Sequence, residues 1–118
     1  MWLRSLFSRR RPPKAFVTFD GPEVVCRTAG EATGSIPWDA LEQVEIVTTD
    51  RGPWVCDVFL VLRGGGHACV VPQESQGFGP LLERLQALPG FDNLAVIEAM
   101  GSGENAAFLC WRLPETQP

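Results

Sequence analysis

The chain contains no run of apolar residues approaching the roughly 20 needed to cross a bilayer as a helix. Even VCDVFLVL is interrupted by Asp57 and stops at Arg63. It has a single histidine, His67, so a serine or cysteine nucleophile would have only one side chain to draw on as its imidazole base. No Cys-x-x-Cys pair occurs among the cysteines at 26, 56, 69 and 110, which excludes a zinc knuckle or a dithiol redox motif of that spacing. Gly64-Gly65-Gly66 lacks the Lys-Ser/Thr that completes a phosphate loop and links two strands instead, so it reads as a turn. A cleavable secretory signal is not expected, because Trp2, Leu3, Leu6 and Phe7 are followed by Arg9-Arg10-Arg11 where a cleavage region would stand. A cytoplasmic location is therefore expected. Each cysteine lies in an apolar run, and all four are expected to be reduced, mostly buried packing residues.

What is present suits one small domain. A chain of 118 residues with 45% hydrophobic and 20% charged residues can build one core, and its 12 Gly and 10 Pro point to short elements joined by tight turns. The net charge of −4 hides an asymmetry. Arg4, Arg9, Arg10, Arg11 and Lys14 are five of the ten basic residues and no acid precedes Asp20, so residues 15–118 carry 5 − 14 = −9. So acidic a domain repels phosphate backbones, and nucleic acid is not an expected partner.

Composition divides the chain into a basic amphipathic segment (1–14), a single domain (15–113) and a polar tail (114–118). In the first of these, Trp2, Leu3, Leu6 and Phe7 fall on one arc of a short helix that Pro12-Pro13 stops. AFVTF (15–19) and EVVCRT (23–28) are rich in β-branched and aromatic residues around Asp20-Gly21-Pro22, which predicts a hairpin. Gly30 to Gly34 reads as a loop. Residues 43–49 alternate as a strand, and WVCDVFLVLR is apolar at both parities, as in a central strand covered on two sides. HACVVP forms a further strand that Pro72 closes. Beyond Gly77 the period becomes helical: Phe78, Leu81, Leu82, Leu85 and Leu88 predict the main packing helix over 78–88. A second short helix, capped by Asp92 or Asn93, puts Leu94, Ile97 and Met100 on one face, and AAFLCWRL closes the domain as a strand. The expected fold class is α+β, a mostly antiparallel sheet of about six strands with helices grouped on one face or end.

The succession Ile36-Pro37-Trp38, Leu41, Val44 and Ile46, a strand pair, then Val70-Val71-Pro72 leading into Phe78, Leu81, Leu82 and Leu85 resembles bacterial pleckstrin-homology-like (PH-like) and GRAM-like domains over residues 15–88. The resemblance implies a bent antiparallel sheet capped by a helix, used as an adaptor or membrane-proximal module. Residues 89–118 depart from that pattern by adding a second helix and a closing strand, which leaves strand order and closure open.

No set of residues supplies a nucleophile, a base and an orienting group together, so the chain is expected not to be an enzyme and to need no cofactor or metal. His67 reads as a solvated turn residue. Asp50 and Asp57 stand either side of Gly52-Pro53; they read as a turn starter and an exposed-face residue, with a carboxylate pair as the chemical alternative. Trp54, beside the same turn, is the tryptophan expected to be displayed. With Asp50 and Asp57 it makes the candidate partner-binding set, and turn packing is its structural alternative. The expected function is a non-enzymatic interaction module that binds a protein partner through an acidic surface. The alternative is peripheral attachment to the inner membrane, with Trp2, Leu3, Leu6 and Phe7 inserted and Arg9, Arg10 and Arg11 on anionic lipid. Residues 1–13 are expected to be dispensable for folding and mobile in solution; the alternative is a helix docked on the domain's own acidic surface or on another copy, hiding Trp2 and Phe7.

Overall fold

A computed structural model of the chain describes residues 15–28, 30–50 and 56–114, apart from the side chains of Asp50, Cys56 and Asp57. The expected N-terminal hairpin is there: β1 (Ala15–Thr18) pairs antiparallel with β2 (Glu23–Thr28), setting Val17 opposite Cys26. A third strand follows, β3 (Glu31–Pro37), where the sequence suggested a loop from Gly30 to Gly34. Small and polar residues at 32–35 give it little strand signal of its own. It forms because β2 offers a ladder along its whole length, with one irregularity between Cys26 and Arg27, and because Ile36 is fully buried opposite Val24.

A short 3-10 turn at Trp38–Ala40 leads into a second sheet. This sheet contains β4 (Gln43–Asp50), β5 (Cys56–Gly64), β6 (His67–Pro72) and β7 (Ala106–Arg112), in the order β6-β5-β4-β7. Both sheets are antiparallel, so the fold is α+β, and among the described residues there are seven strands divided three and four, where one sheet of about six was expected. The β5–β6 connection is a two-residue hairpin in which Gly65 (φ 58°) and Gly66 (φ 79°) both take positive φ, the requirement of a type I′ turn.

Between β6 and β7 come α1 (Phe78–Gln86) and α2 (Asn93–Met100). Phe78, Leu81 and Leu85 of α1 are buried in one core cluster with Val58 and Leu60 of β5, as the leucine spacing predicts. Gly77 at the start of α1 has φ 96°, and a Cβ there would lie 2.6 Å from the Val17 carbonyl oxygen, so only glycine lets β1 approach the helix so closely. Asp92 caps α2, its Oδ1 accepting from the amides of Leu94 (3.0 Å) and Ala95 (3.2 Å).

The alternation of the second sheet divides its two faces. Val44, Ile46, Thr48, Val58, Leu60, Leu62, Cys69 and Val71 are buried on the core side. Thr48 is tolerated there because its hydroxyl donates to the Glu104 carbonyl (2.6 Å).

The cysteines correct the sequence expectation. Cys26 on β2 and Cys69 on β6 are buried as foreseen, but they form a disulfide across the two sheets, with Cα atoms 6.5 Å apart. Their separation of 43 residues conceals a proximity that only the packing of one sheet on the other creates. Cys110 is free and buried.

Two outcomes follow from this core. Leu85→Ala should cost about 2 to 5 kcal/mol in urea denaturation, the range for a truncated buried leucine, and an unchanged midpoint would refute the packing of α1. Alkylation of the denatured, unreduced chain should leave Cys26 and Cys69 unmodified until a reductant is added. The Cys26→Ala/Cys69→Ala variant should lose about 2 to 4 kcal/mol, because the bridge restricts a long loop of the unfolded chain.

Candidate functional site

The residues proposed from sequence fall mostly where no geometry can be assigned. Trp2, Leu3, Leu6, Phe7, Arg9, Arg10, Arg11 and Trp54 lie outside the described residues. Asp50 and Asp57 are placed by backbone alone, on successive rungs of the β4–β5 ladder where Thr49 pairs with Asp57 and Asp50 with Cys56. Their side chains lie outside the described set.

His67 is exposed at the first position of β6, paired with Gly64 across the hairpin, as its reading as a turn residue implies. Among the described residues no group of three or more His, Cys, Asp or Glu could hold a metal ion. Among them too, no helix is long and apolar enough to cross a membrane. The tryptophans at 38 and 111 serve the fold. Trp111 is buried and its Nε1–H donates to the Pro89 carbonyl (2.9 Å). Trp38 donates to the Phe19 carbonyl (3.2 Å) and lies under the Arg84 guanidinium, 4.7 Å from the ring centre.

The feature that stands out is α2. A helix apolar on all sides is normally buried, but this one lies at the surface. Its inward residues are the small ones, Ala95, Val96 and Ala99, which belong to the core cluster. Its outward residues are the large ones: Leu94 is 70% exposed, Ile97 67% and Met100 39%. The face that sequence periodicity picks out as apolar is thus the one turned to solvent. Asp92, Glu98 and Glu104 are exposed beside it, Glu98 one helical turn after Leu94. The Gln73 amide reaches the Met100 sulfur (3.7 Å), tying the far end of the strip to the segment after β6. The helix itself is held firmly, since the Asp92 amide donates to the Cys110 carbonyl on β7 (2.7 Å). Sequence patterning found these three residues together but gave no sign of which way they face.

Cys110 beneath α2 is chemically quiet. Burial pushes its thiol from 9.0 up to about 11; a hydrogen-bonding contribution from the Ile46 backbone opposes the rise, and the charges of Asp92 and Glu45 add to it. A thiol held protonated in this way is neither a nucleophile nor a metal ligand near neutral pH.

No family model, curated protein or solved structure matches the chain.

The Cys110 environment predicts a pH dependence. The folded state binds this proton more tightly than the unfolded chain, so the stability it contributes is full below 9.0 and is lost as pH rises from 9.0 through about 11. Melting temperatures across that window should fall less for Cys110→Ala than for the unaltered chain, and parallel curves would show that the thiol is not desolvated.

Proposed function

We propose that this chain is a non-enzymatic interaction module that binds a protein partner through the outward face of α2. The observation that carries this reading is that Leu94 and Ile97 are about two-thirds exposed on a helix whose opposite side is anchored in the core. Burying such a side chain is worth about 1.5 to 3 kcal/mol, and neither makes that gain within the described residues.

The partner's chemistry is set by what surrounds the strip. Asp92, Glu98 and Glu104 are acidic and exposed, and residues 15–118 carry −9. A partner with an apolar anchor flanked by basic residues fits, and its encounter would be electrostatically steered. The strip replaces Trp54, Asp50 and Asp57 as the proposed binding surface because it has a described geometry. The non-enzymatic part of the reading rests on the sequence, where one histidine stands without an orienting partner. The fold is taken to be of the PH-like kind that the sequence resembles. Two antiparallel sheets sharing a core with α1 support that, while α2 and β7 are additions to it.

The test is a direct measurement. Partners are cross-linked to the full chain in cells and purified, and their binding to the unaltered chain and to Leu94→Lys/Ile97→Lys is compared by calorimetry. The double variant should keep its melting temperature and lose affinity on the order of 100-fold, from apolar burial forgone. Affinity for the unaltered chain should also fall with added salt. A partner that binds both chains equally well would remove α2 as the binding surface.

A further inference from the structure

A strand at the edge of a sheet presents a row of unpaired N–H and C=O groups, and the two sheets have four edge strands, β1, β3, β6 and β7. Three of them are covered. Gln76 bonds to β1, its amide donating to the Ala15 carbonyl and its carbonyl accepting from the Val17 amide (both 2.9 Å). β3 and β6 lie against each other, so closely that a Cβ on Gly34 would sit 3.1 Å from the Ala68 carbonyl oxygen. Among the described residues β7 is covered only toward its end, where the Cys110 carbonyl accepts from the Asp92 amide.

The Glu42 carbonyl accepts from Leu113 (2.7 Å), which sets the alternation of β4: Val44, Ile46 and Thr48 bond toward β7. Phe108 and Ala106 stand opposite Ile46 and Thr48, so Ala107 and Leu109 turn their backbone groups to the open side. No described residue bonds to them there. Ala106-Ala107-Phe108-Leu109 carries none of the charges, prolines or bulges that keep an edge from pairing, since the irregularity of β7 falls beyond it at Cys110. Helix α2 roofs this edge. It lies on β7 and β4, and Gln73 draws Met100 toward the sheet centre. Glu98 stands about 200° around the helix from Met100 and so, with Leu94, overhangs the open side of β7. Asp92 and Glu104 lie at the two ends of the stretch, and all three carboxylate residues are exposed.

We propose that the protein partner contributes an extended segment that adds to β7 as a fifth strand of the second sheet, with an apolar residue under Leu94 beside Phe108 and basic residues at its ends against Asp92, Glu98 and Glu104. This rests on the reading of α2 as the binding surface and names the shape of what binds there, main-chain pairing supplying affinity and the helix flank supplying selectivity. A second copy of the chain is disfavoured as the occupant, because it would bring a second Glu98 and a second charge of −9 to the same edge.

The full chain is titrated with an acetylated, amidated octapeptide in which two valine–threonine repeats stand between pairs of lysines, and binding is followed by calorimetry and by amide hydrogen exchange in NMR spectra. The Ala107 and Leu109 amides should exchange fast in the free chain and slow down on saturation. Ala107→Pro removes one edge donor where an edge strand tolerates proline, so it should keep its melting temperature and bind about 10-fold more weakly. N-methylation of the peptide's threonines, which stand opposite Ala107 and Leu109, should abolish binding with the chain unaltered, and N-methylation of its valines should not. The added strand is overturned if the peptide does not bind, if both amides stay unprotected, or if methylated threonines bind as well as the parent. It is overturned too if the amides are already slow in the free monomer, covered by the chain itself, or slow down only as the chain dimerises. Binding lost in Leu94→Lys/Ile97→Lys but untouched by Ala107→Pro and by threonine methylation would remove the strand and leave α2 as the surface; the reverse pattern would keep the strand and remove α2.

Discussion

Strand β5 carries an unbroken apolar row, Val58, Leu60 and Leu62, on one of its sides, and burying that row is the condition that the rest of the molecule meets. Its inward residues Val58, Leu60 and Leu62 sit against Val44 and Ile46 of β4 and Cys69 and Val71 of β6, all of them in one buried cluster. Covering that side takes the three-stranded sheet, α1 and α2 together. The β4–β5 ladder runs over eight rungs and the β5–β6 ladder over six, so the register fixes which residues face inward before any helix is placed. A slip of one residue would turn Leu60 and Leu62 out and bring Arg63 in.

The two sheets are not hydrogen-bonded into one, and their union depends on side chains. Val17, Val24 and Ile36 from the first sheet enter the common cluster, and the Cys26–Cys69 bridge joins β2 directly to β6. The bridge adds a covalent tie where the hydrophobic contact alone would have to hold two small layers together. It also alters the reading of the cysteines. Apolar surroundings indicate burial, but burial of two thiols in one place is a property of the register and of the sheet packing, which spacing along the chain does not encode.

Much of the fold is legible in local pattern because the signals are local. The first hairpin, the Gly65-Gly66 turn, the leucine face of α1 and the Asp92 cap each depend on residues within a few positions of one another. β3 was hidden because Ala32, Thr33, Gly34 and Ser35 have little strand preference and are drawn into the sheet by β2. The six-strand expectation fails at that point. The candidate site was half legible: periodicity puts Leu94, Ile97 and Met100 on one face but does not say which way that face turns. In the structure it turns outward, because Ala95, Val96 and Ala99 are small enough for α2 to lie close to the sheet. Trp54, Asp50 and Asp57 were chosen for turn chemistry, which says nothing of where their side chains lie.

The outer side of the four-stranded sheet and the outer side of α2 both carry apolar residues, and they differ in what flanks them. On the sheet Val61 is enclosed while Val70 and Leu109 in the same cross-strand row are half exposed. Val61 stands on an inner strand with Val70 on one side and Glu45 on the other, and the Glu45–Arg63 ion pair lies in the next rows, so its neighbours shield it. Leu94 and Ile97 have no strand on either side; they project from a two-turn helix whose opposite side is in the core. An apolar side chain costs most where no neighbour shares its hydration, and by that measure the bare stretch is on α2.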